Sequence, residues 1–459
     1  MIPYYFERLQ NRKVFLSNLL GGWEIIEETP TLEYANARFD QPSFRRKGFG
    51  LNTEQFSRSA VLSLASKYSK NLEKPSLVMV VPTLRCDHNC TYCQVSRAPL
   101  NSAKHDLTHS AKSIATAIDK IAANSFKLEI QGGEPLLRTS YITSLVEELR
   151  ASTEKQFEIV ITTALGPPLE PAFLDWANQN QVSFSISFDG LRSVHEAQRK
   201  WIHSDETAHL LKQIETLKSA GFTDRIGLVN TITRELLKQN PDCIIDEITA
   251  ALGQTRLFSR PLSNYGFAAT TKTALGYELP DYLEFMDSYL DAIIAANNRG
   301  IDFFDQAFEI YLKTLFRPQE SNHVDFMNPS GYALGAVLIN YDGRVFGADE
   351  ARMMFESTGN PNLPIATIDQ DGSLLLNDLT MHEQIGARSF KESKPHCDIC
   401  AFSPFCGSDP MHDVLSQGDL QGFMTSSDFC RTTKFFYNSL LTRYDEGAIS
   451  DEMIERWLT

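Results

Sequence analysis

The chain has 459 residues, a formal net charge of −15 and a pI near 5.2, with 42% hydrophobic and 22% charged residues. That length predicts two or three domains rather than one core. The acidic balance, with RRK (Arg45 to Lys47) as the best basic run and read as a solvated turn, excludes a nucleic-acid footprint, and the longest apolar run, Leu77 to Val81, is far short of a membrane span.

The N-terminus carries Glu7, Arg8, Arg12 and Lys13 and no apolar stretch, so no secretion signal is expected and the expected location is the cytoplasm. KVFLSN (Lys13 to Asn18) and GWEIIE (Gly22 to Glu27) flank a Leu-Gly-Gly turn and predict a hairpin, followed by charged, Ser-rich helical sequence up to Lys74. Residues 1–74 are thus expected to form an N-terminal hairpin unit.

From Ser76 strands and helices alternate. Strands are predicted at Leu77, Lys127, Phe157, Val182, Arg225 and Arg256, with amphipathic helices at about 108–123, 140–152, 170–179, 205–219 and 235–250. Six βα repeats predict an α/β fold, a parallel sheet with helices outside it, closer to a partial (βα)6 barrel than to a closed eight-unit one. A helical stretch at about 279–316 ends this domain (75–316). From 317 the pattern breaks into a hairpin, Val337 to Asp349 with a Tyr-Asp-Gly turn, then a Cys-rich segment and a helix from about Thr432, predicting a third domain, 317–459.

The eight cysteines carry most of the chemical signal. Cys243 stands alone beside apolar residues and is expected to be a buried core thiol. Cys86, Cys90 and Cys93 follow the first parallel strand directly, in the loop at its C-terminal end, where barrel folds place their chemistry. Thiolates ligate Fe–S clusters, and three on a four-iron cluster leave one iron open to a substrate. The competing reading is a zinc site with His88 as fourth ligand. Cys397, Cys400, Cys406 and Cys430 are enough to close a second site, and spacing alone does not choose between zinc and a second cluster.

CDHNCTYC matches the CxxxCxxC motif and resembles the radical S-adenosylmethionine (SAM) superfamily; QGGEP, directly after the second strand, is a second match. The resemblance implies a SAM-binding [4Fe–4S] cluster on Cys86, Cys90 and Cys93. It also implies SAM contacts from Tyr92 near the adenine, from Gly132, Gly133, Glu134 and Pro135 at the amino group, from Ser187 and Asp189 of SFDG at the ribose, and from Arg199 at the carboxylate. An exposed helical Arg199 is the competing reading, and ITTALG, where relatives often read Thr-Asn-Gly, leaves a contact from Thr163 in doubt.

The C-terminal cysteines resemble the SPASM extension of peptide-modifying radical SAM enzymes. Pro410 and the Gly347-Ala348 pair stand where one of its two clusters would be ligated, so one auxiliary [4Fe–4S] cluster is implied, on Cys397, Cys400, Cys406 and Cys430. Asp349 matches a base of sulfatase-maturing relatives; an ion pair with Arg352 is the alternative. With FLSN, RPLSNYGFA and YDGRVFGADEARMM, nearly the full length resembles the B-component maturases of the His-Xaa-Ser peptide systems. That implies a ribosomally made precursor peptide as substrate, an electron donor such as flavodoxin or ferredoxin, no nucleic-acid or membrane partner, a second maturase as a further candidate partner, and oxidative C–C or C–N cross-linking. Formylglycine generation, epimerisation and a non-catalytic peptide-binding role are the alternatives. The hairpin unit is a candidate leader-peptide binder by strand addition.

Overall fold

The computed structural model describes residues 4–28, 39, 41–71, 74–203, 206–263, 265–318 and 323–458. Asn264 of the RPLSNYGFA motif lies outside them. The chain divides into two compact units, and their limits differ from those expected: one comprises residues 1–73, 308–331 and 384–459, the other 74–307 and 332–383.

In the first unit, β1 (Tyr4–Arg8), β2 (Val14–Asn18) and β3 (Trp23–Ile26) form an antiparallel sheet in that order. The β2–β3 hairpin is the expected one; β1 is an addition. The sheet does not form a separate N-terminal domain but belongs to one unit with the C-terminal segment. Phe15 on β2 is fully buried, with the rings of Phe402 and Phe405 at 5.2 and 6.0 Å, and Phe402 in turn stacks on Tyr437 at 5.1 Å. The Ser17 hydroxyl donates to the Ala401 carbonyl at 2.6 Å. The N-terminal sheet therefore braces the second cysteine segment. A second cluster joins Leu16 and Ile26 to Phe39, Phe44 and Phe49. The helix expected from Thr432 begins earlier, spanning Asp428–Asp445, because Ser427 caps it by accepting from the Cys430 amide at 3.3 Å.

The second unit holds the barrel. β4 (Leu77–Val80) runs into the first cysteine loop, which contains β5 (His88–Cys90); β6 (Ser125–Ile130), β7 (Gln156–Thr163), β8 (Ser183–Ser187), β9 (Arg199–Trp201), β10 (Ile226–Ile232), β11 (Arg256–Pro261) and the short β12 (Phe304–Asp305) follow. β12-β11-β10-β8-β7-β6-β4 form one parallel sheet, so all six expected strands are present and adjacent. The helices 111–121, 139–152, 171–179 and 206–219 fall where the periodicity puts them. The stretch at 235–250 is broken, since Asn240 caps a new helix at Pro241. The stretch at 279–316 is split at Gly300 (φ +85°) and β12.

The hairpin β13 (Ala336–Ile339) and β14 (Arg344–Phe346) extends this sheet instead of opening a C-terminal domain. All four β13 residues are buried, and β13 pairs in parallel with β4, which would otherwise be an open apolar edge. β15 (Pro364–Ile368) and β16 (Leu374–Leu376) continue it in antiparallel fashion. Cys243 corrects another expectation: it is exposed, because the short helix Pro241–Asp246 turns Ile244 and Ile245 to the core instead. Among the described residues, no helix is long and apolar enough to cross a membrane.

Candidate active site and second cysteine site

Cys86 and Cys90 are partly exposed and Cys93 is buried. Burial first, then the charge of Cys90, pushes the Cys86 thiol well above its ordinary range, so the two sulfurs share one environment. The loop that carries them is locked to the QGGEP segment by backbone hydrogen bonds: Gly133 N to Thr83 O at 2.9 Å and Glu134 N to Arg85 O at 2.8 Å. The glycines are required by this chain's own backbone. A Cβ on Gly133 would sit 2.3 Å from Arg85 O, and one on Gly132 (φ +135°) 2.6 Å from Thr83 O.

Glu134 is fully buried. Its carboxylate accepts from Leu136 N (3.0 Å), Thr163 Oγ1 (2.7 Å) and Ala164 N (3.0 Å). Burial, and then the Asp87 charge, push it up to about 7. Thr163, uncertain from sequence, thus acts on Glu134. Pro135, also buried, starts the turn that follows.

Tyr92, Asp189 and Arg199 meet in one buried knot. The Tyr92 hydroxyl donates to both Asp189 oxygens at 2.6 and 2.8 Å, Arg199 Nε donates to Asp189 Oδ1 at 3.2 Å, and the guanidinium lies 5.3 Å from the Tyr92 ring centroid. Arg199 is not an exposed helical residue. It lies on β9, which pairs antiparallel with β5 so that Cys90 faces Arg199 and His88 faces Trp201, and its Nη1 is 3.9 Å from Cys90 Sγ. Although burial opposes its charge, Asp189 and Tyr92 outweigh it and hold the guanidinium protonated. Ser187 ends β8 and is partly exposed, directly before the Phe188-Asp189 turn.

Asp87 and Glu129 were not singled out in the sequence. Asp87 is buried, hydrogen-bonded to His88 Nδ1 at 2.9 Å and to Trp201 Nε1 at 3.1 Å, and fits against Gly166, where a Cβ would overlap its carboxylate. Cys86, Asp87 and His88 bring ligand atoms within 4.8 Å of one another, and among the described residues no other group of three does. His88 Nδ1 is held by Asp87. On β6, Glu129 is partly exposed and accepts from Thr162 Oγ1 at 2.9 Å. A carboxylate on a strand of a parallel sheet, whose strands ordinarily read as near-continuous apolar runs, was its available signal. Asp349 begins the helix Asp349–Thr358. Its Oδ1 accepts from Nε and Nη2 of Arg352, both at 3.2 Å, while Nη1 of the fully buried Arg352 donates to Val95 O at 3.0 Å.

In the other unit, Cys397, Cys400, Cys406 and Cys430 line a single cavity of about 290 Å3, together with Phe402, Phe429 and Met424. All four thiols are pushed up by burial first, Cys397 to about 11, and each of Cys397, Cys406 and Cys430 is raised further by its sulfur neighbours. Such a set ionises together only around a cation. One tetrahedral zinc with Zn–S near 2.3 Å needs sulfurs about 3.8 Å apart. No three of these sulfurs lie within 4.8 Å of one another, and a cavity separates them, which fits a polynuclear cluster better.

The comparisons bear on this geometry. Residues 80–239 match the model of the Radical SAM superfamily. This segment is a radical SAM domain. The enzyme thus carries a radical SAM domain, a module that works with a [4Fe–4S] cluster and SAM, and the three-cysteine loop, GGEP and the Tyr92–Asp189–Arg199 knot all fall inside the matched segment. Among curated proteins none matches. Solved structures similar in fold include anSMEcpe with bound AdoMet and a Cp18Cys peptide (16% identity, 82% of this chain and 99% of that one, TM-score 0.65). Another is Streptococcus suis SuiB bound to the precursor peptide SuiA (16% identity, 92% and 98%, TM-score 0.53).

Proposed function

We propose that this enzyme modifies a ribosomally made peptide by oxidative cross-linking of side chains. When bound, the reduced cluster and SAM supply a 5′-deoxyadenosyl radical able to take a hydrogen atom from an unactivated carbon. The remaining work belongs to the protein. Cys86, Cys90 and Cys93 would hold the cluster, and the glycine-tight contact with the GGEP segment fixes Glu134 beside them to receive the SAM ammonium. Tyr92, Asp189 and Arg199, with Ser187, would shape the nucleoside end; because Asp189 already neutralises Arg199, the knot orients a ligand without presenting a bare buried charge.

The carrying observation is the four-thiol cavity of the first unit, which supports one auxiliary [4Fe–4S] cluster and so an acceptor for the electron that an oxidative reaction must discard. Two fold relatives were solved with peptides, which favours a peptide substrate here. The motifs PTLRCDHNCTYCQVSR, QGGEPLL and YDGRVFGADEARMM favour the B-component maturases of the His-Xaa-Ser systems, with a flavodoxin- or ferredoxin-type donor in the cytoplasm, a second maturase as candidate partner, and the β1–β3 sheet as the leader-peptide contact. Co-expression with a candidate short precursor peptide tests the reading. Each event should lower the peptide mass by about 2 Da. An unchanged mass with deuterium gained at an α-carbon means epimerisation instead.

A further inference from the structure

The barrel lumen contains a carboxylate that neither the cluster nor the SAM motifs employ. Strand alternation puts the buried Leu128 and Ile130 of β6 on one face, and Lys127 and Glu129 on the opposite face. Glu129 is in register with Met79 of β4 and Val160 of β7, and it accepts a hydrogen bond from Thr162 Oγ1 at Oε1. The charged groups that reach it are Asp349 at the start of the helix after β14, Arg260 on β11 and Lys127 on its own strand. Burial raises its affinity for a proton first; the Asp349 charge raises it further, against the opposing pull of Thr162, Arg260 and Lys127.

The two carboxylates differ in what holds them. Asp349 is the counter-charge of Arg352, whose guanidinium is fully buried and anchored to Val95 O. A proton on Asp349 would leave that guanidinium buried and unbalanced. The hydrogen-bond partner of Glu129 is instead a hydroxyl, which serves a carboxylic acid as well as a carboxylate.

From this contrast we infer that Glu129, on the lumenal face of β6, is the group that accepts the substrate proton, with Asp349 and Arg352 as its fixed electrostatic neighbours. The inference rests on the oxidative reading above. For each new bond, one substrate hydrogen leaves as an atom to the 5′-deoxyadenosyl carbon and one leaves as a proton to Glu129. The remaining electron passes to a one-electron iron–sulfur or flavin acceptor. Protonated Glu129 then returns its proton to solvent through the open lumen.

The test compares Glu129→Gln, Glu129→Asp and Asp349→Asn with the wild type, all reconstituted with iron and checked for equal iron content, using the precursor peptide. Cross-link formation should fall about 10²-fold or more in Glu129→Gln, and the 5′-deoxyadenosine made per cross-link should rise well above one. Glu129→Asp should recover part of the rate. In the wild type the rate should fall as pH drops through the Glu129 titration, and this acid limb should vanish in Glu129→Gln but persist in Asp349→Asn. A wild type that removes 2 Da per event while Glu129→Gln keeps its rate and acid limb overturns the assignment alone. A limb lost only in Asp349→Asn returns the role to Asp349. A wild-type peptide of unchanged mass overturns the oxidative reading itself, and with it the need for an acceptor.

Discussion

Gly133→Ala is the sharpest structural probe of the active-site loop. The new methyl would stand 2.3 Å from Arg85 O and 2.4 Å from Leu84 O, both backbone atoms that no side-chain rotation can move aside. Relief requires the GGEP segment to withdraw from the cysteine loop by about 1 Å or more, given ordinary contact distances near 3.5 Å. That motion disrupts the bonds Gly133 N to Thr83 O and Glu134 N to Arg85 O, each contributing about 1 kcal/mol net. Overpacking adds about 1–3 kcal/mol, for a total of about 3–5 kcal/mol. At roughly 2–4 °C per kcal/mol for a unit of this size, the melting temperature should drop by about 6–20 °C. Gly221→Ala is the matched control. Its φ of +88° strains any side chain, but nothing lies within 4 Å of the added Cβ, so about 1–2 kcal/mol is expected. Thermal unfolding of both apo variants followed by circular dichroism decides the matter. If Gly133→Ala melts no lower than Gly221→Ala, the glycines do not join the two loops and their sequence meaning lies elsewhere.

Tyr92→Phe removes both hydroxyl bonds to the buried Asp189 and should weaken SAM binding about tenfold, for a loss of about 1–3 kcal/mol, read by equilibrium dialysis of the reconstituted protein. Phe15→Ala, which empties a fully buried ring site against Phe402 and Phe405, should destabilise the first unit by about 3–5 kcal/mol and lower iron at the second site before the first. The reconstituted wild type should hold about eight iron and eight sulfide. One zinc with four irons would show a structural metal in the Cys397 cavity, and about twelve irons would mean a further ligand set went unread.

How far the molecule was legible from its sequence follows the range of the interactions. The six strands and the two cysteine sets rest on local periodicity and spacing, and both were readable. Arg199 was named from its place in HEAQRK, but its setting was not legible: it depends on β9 pairing with β5, a contact spanning 109 residues between Arg199 and Cys90. The hairpin Val337 to Asp349 was recognised as a hairpin but placed with the wrong neighbours, because whether a strand joins an existing edge is decided by what that edge leaves uncovered. The same holds for the N-terminal sheet, whose Phe15 finds its partners at Phe402 and Phe405, nearly 400 residues on. Cys243 was misread because apolar neighbours alone do not say which way a two-turn helix rotates after Pro241.

The central claim is that Cys86, Cys90 and Cys93 hold the cluster that cleaves SAM. The most direct measurement is 5′-deoxyadenosine formation by the Cys86→Ala, Cys90→Ala, Cys93→Ala triple variant, reconstituted and reduced without oxygen, beside the wild type. The account predicts a product peak in the wild type, none in the variant, and about four fewer irons per chain. SAM cleavage retained in the variant would contradict it.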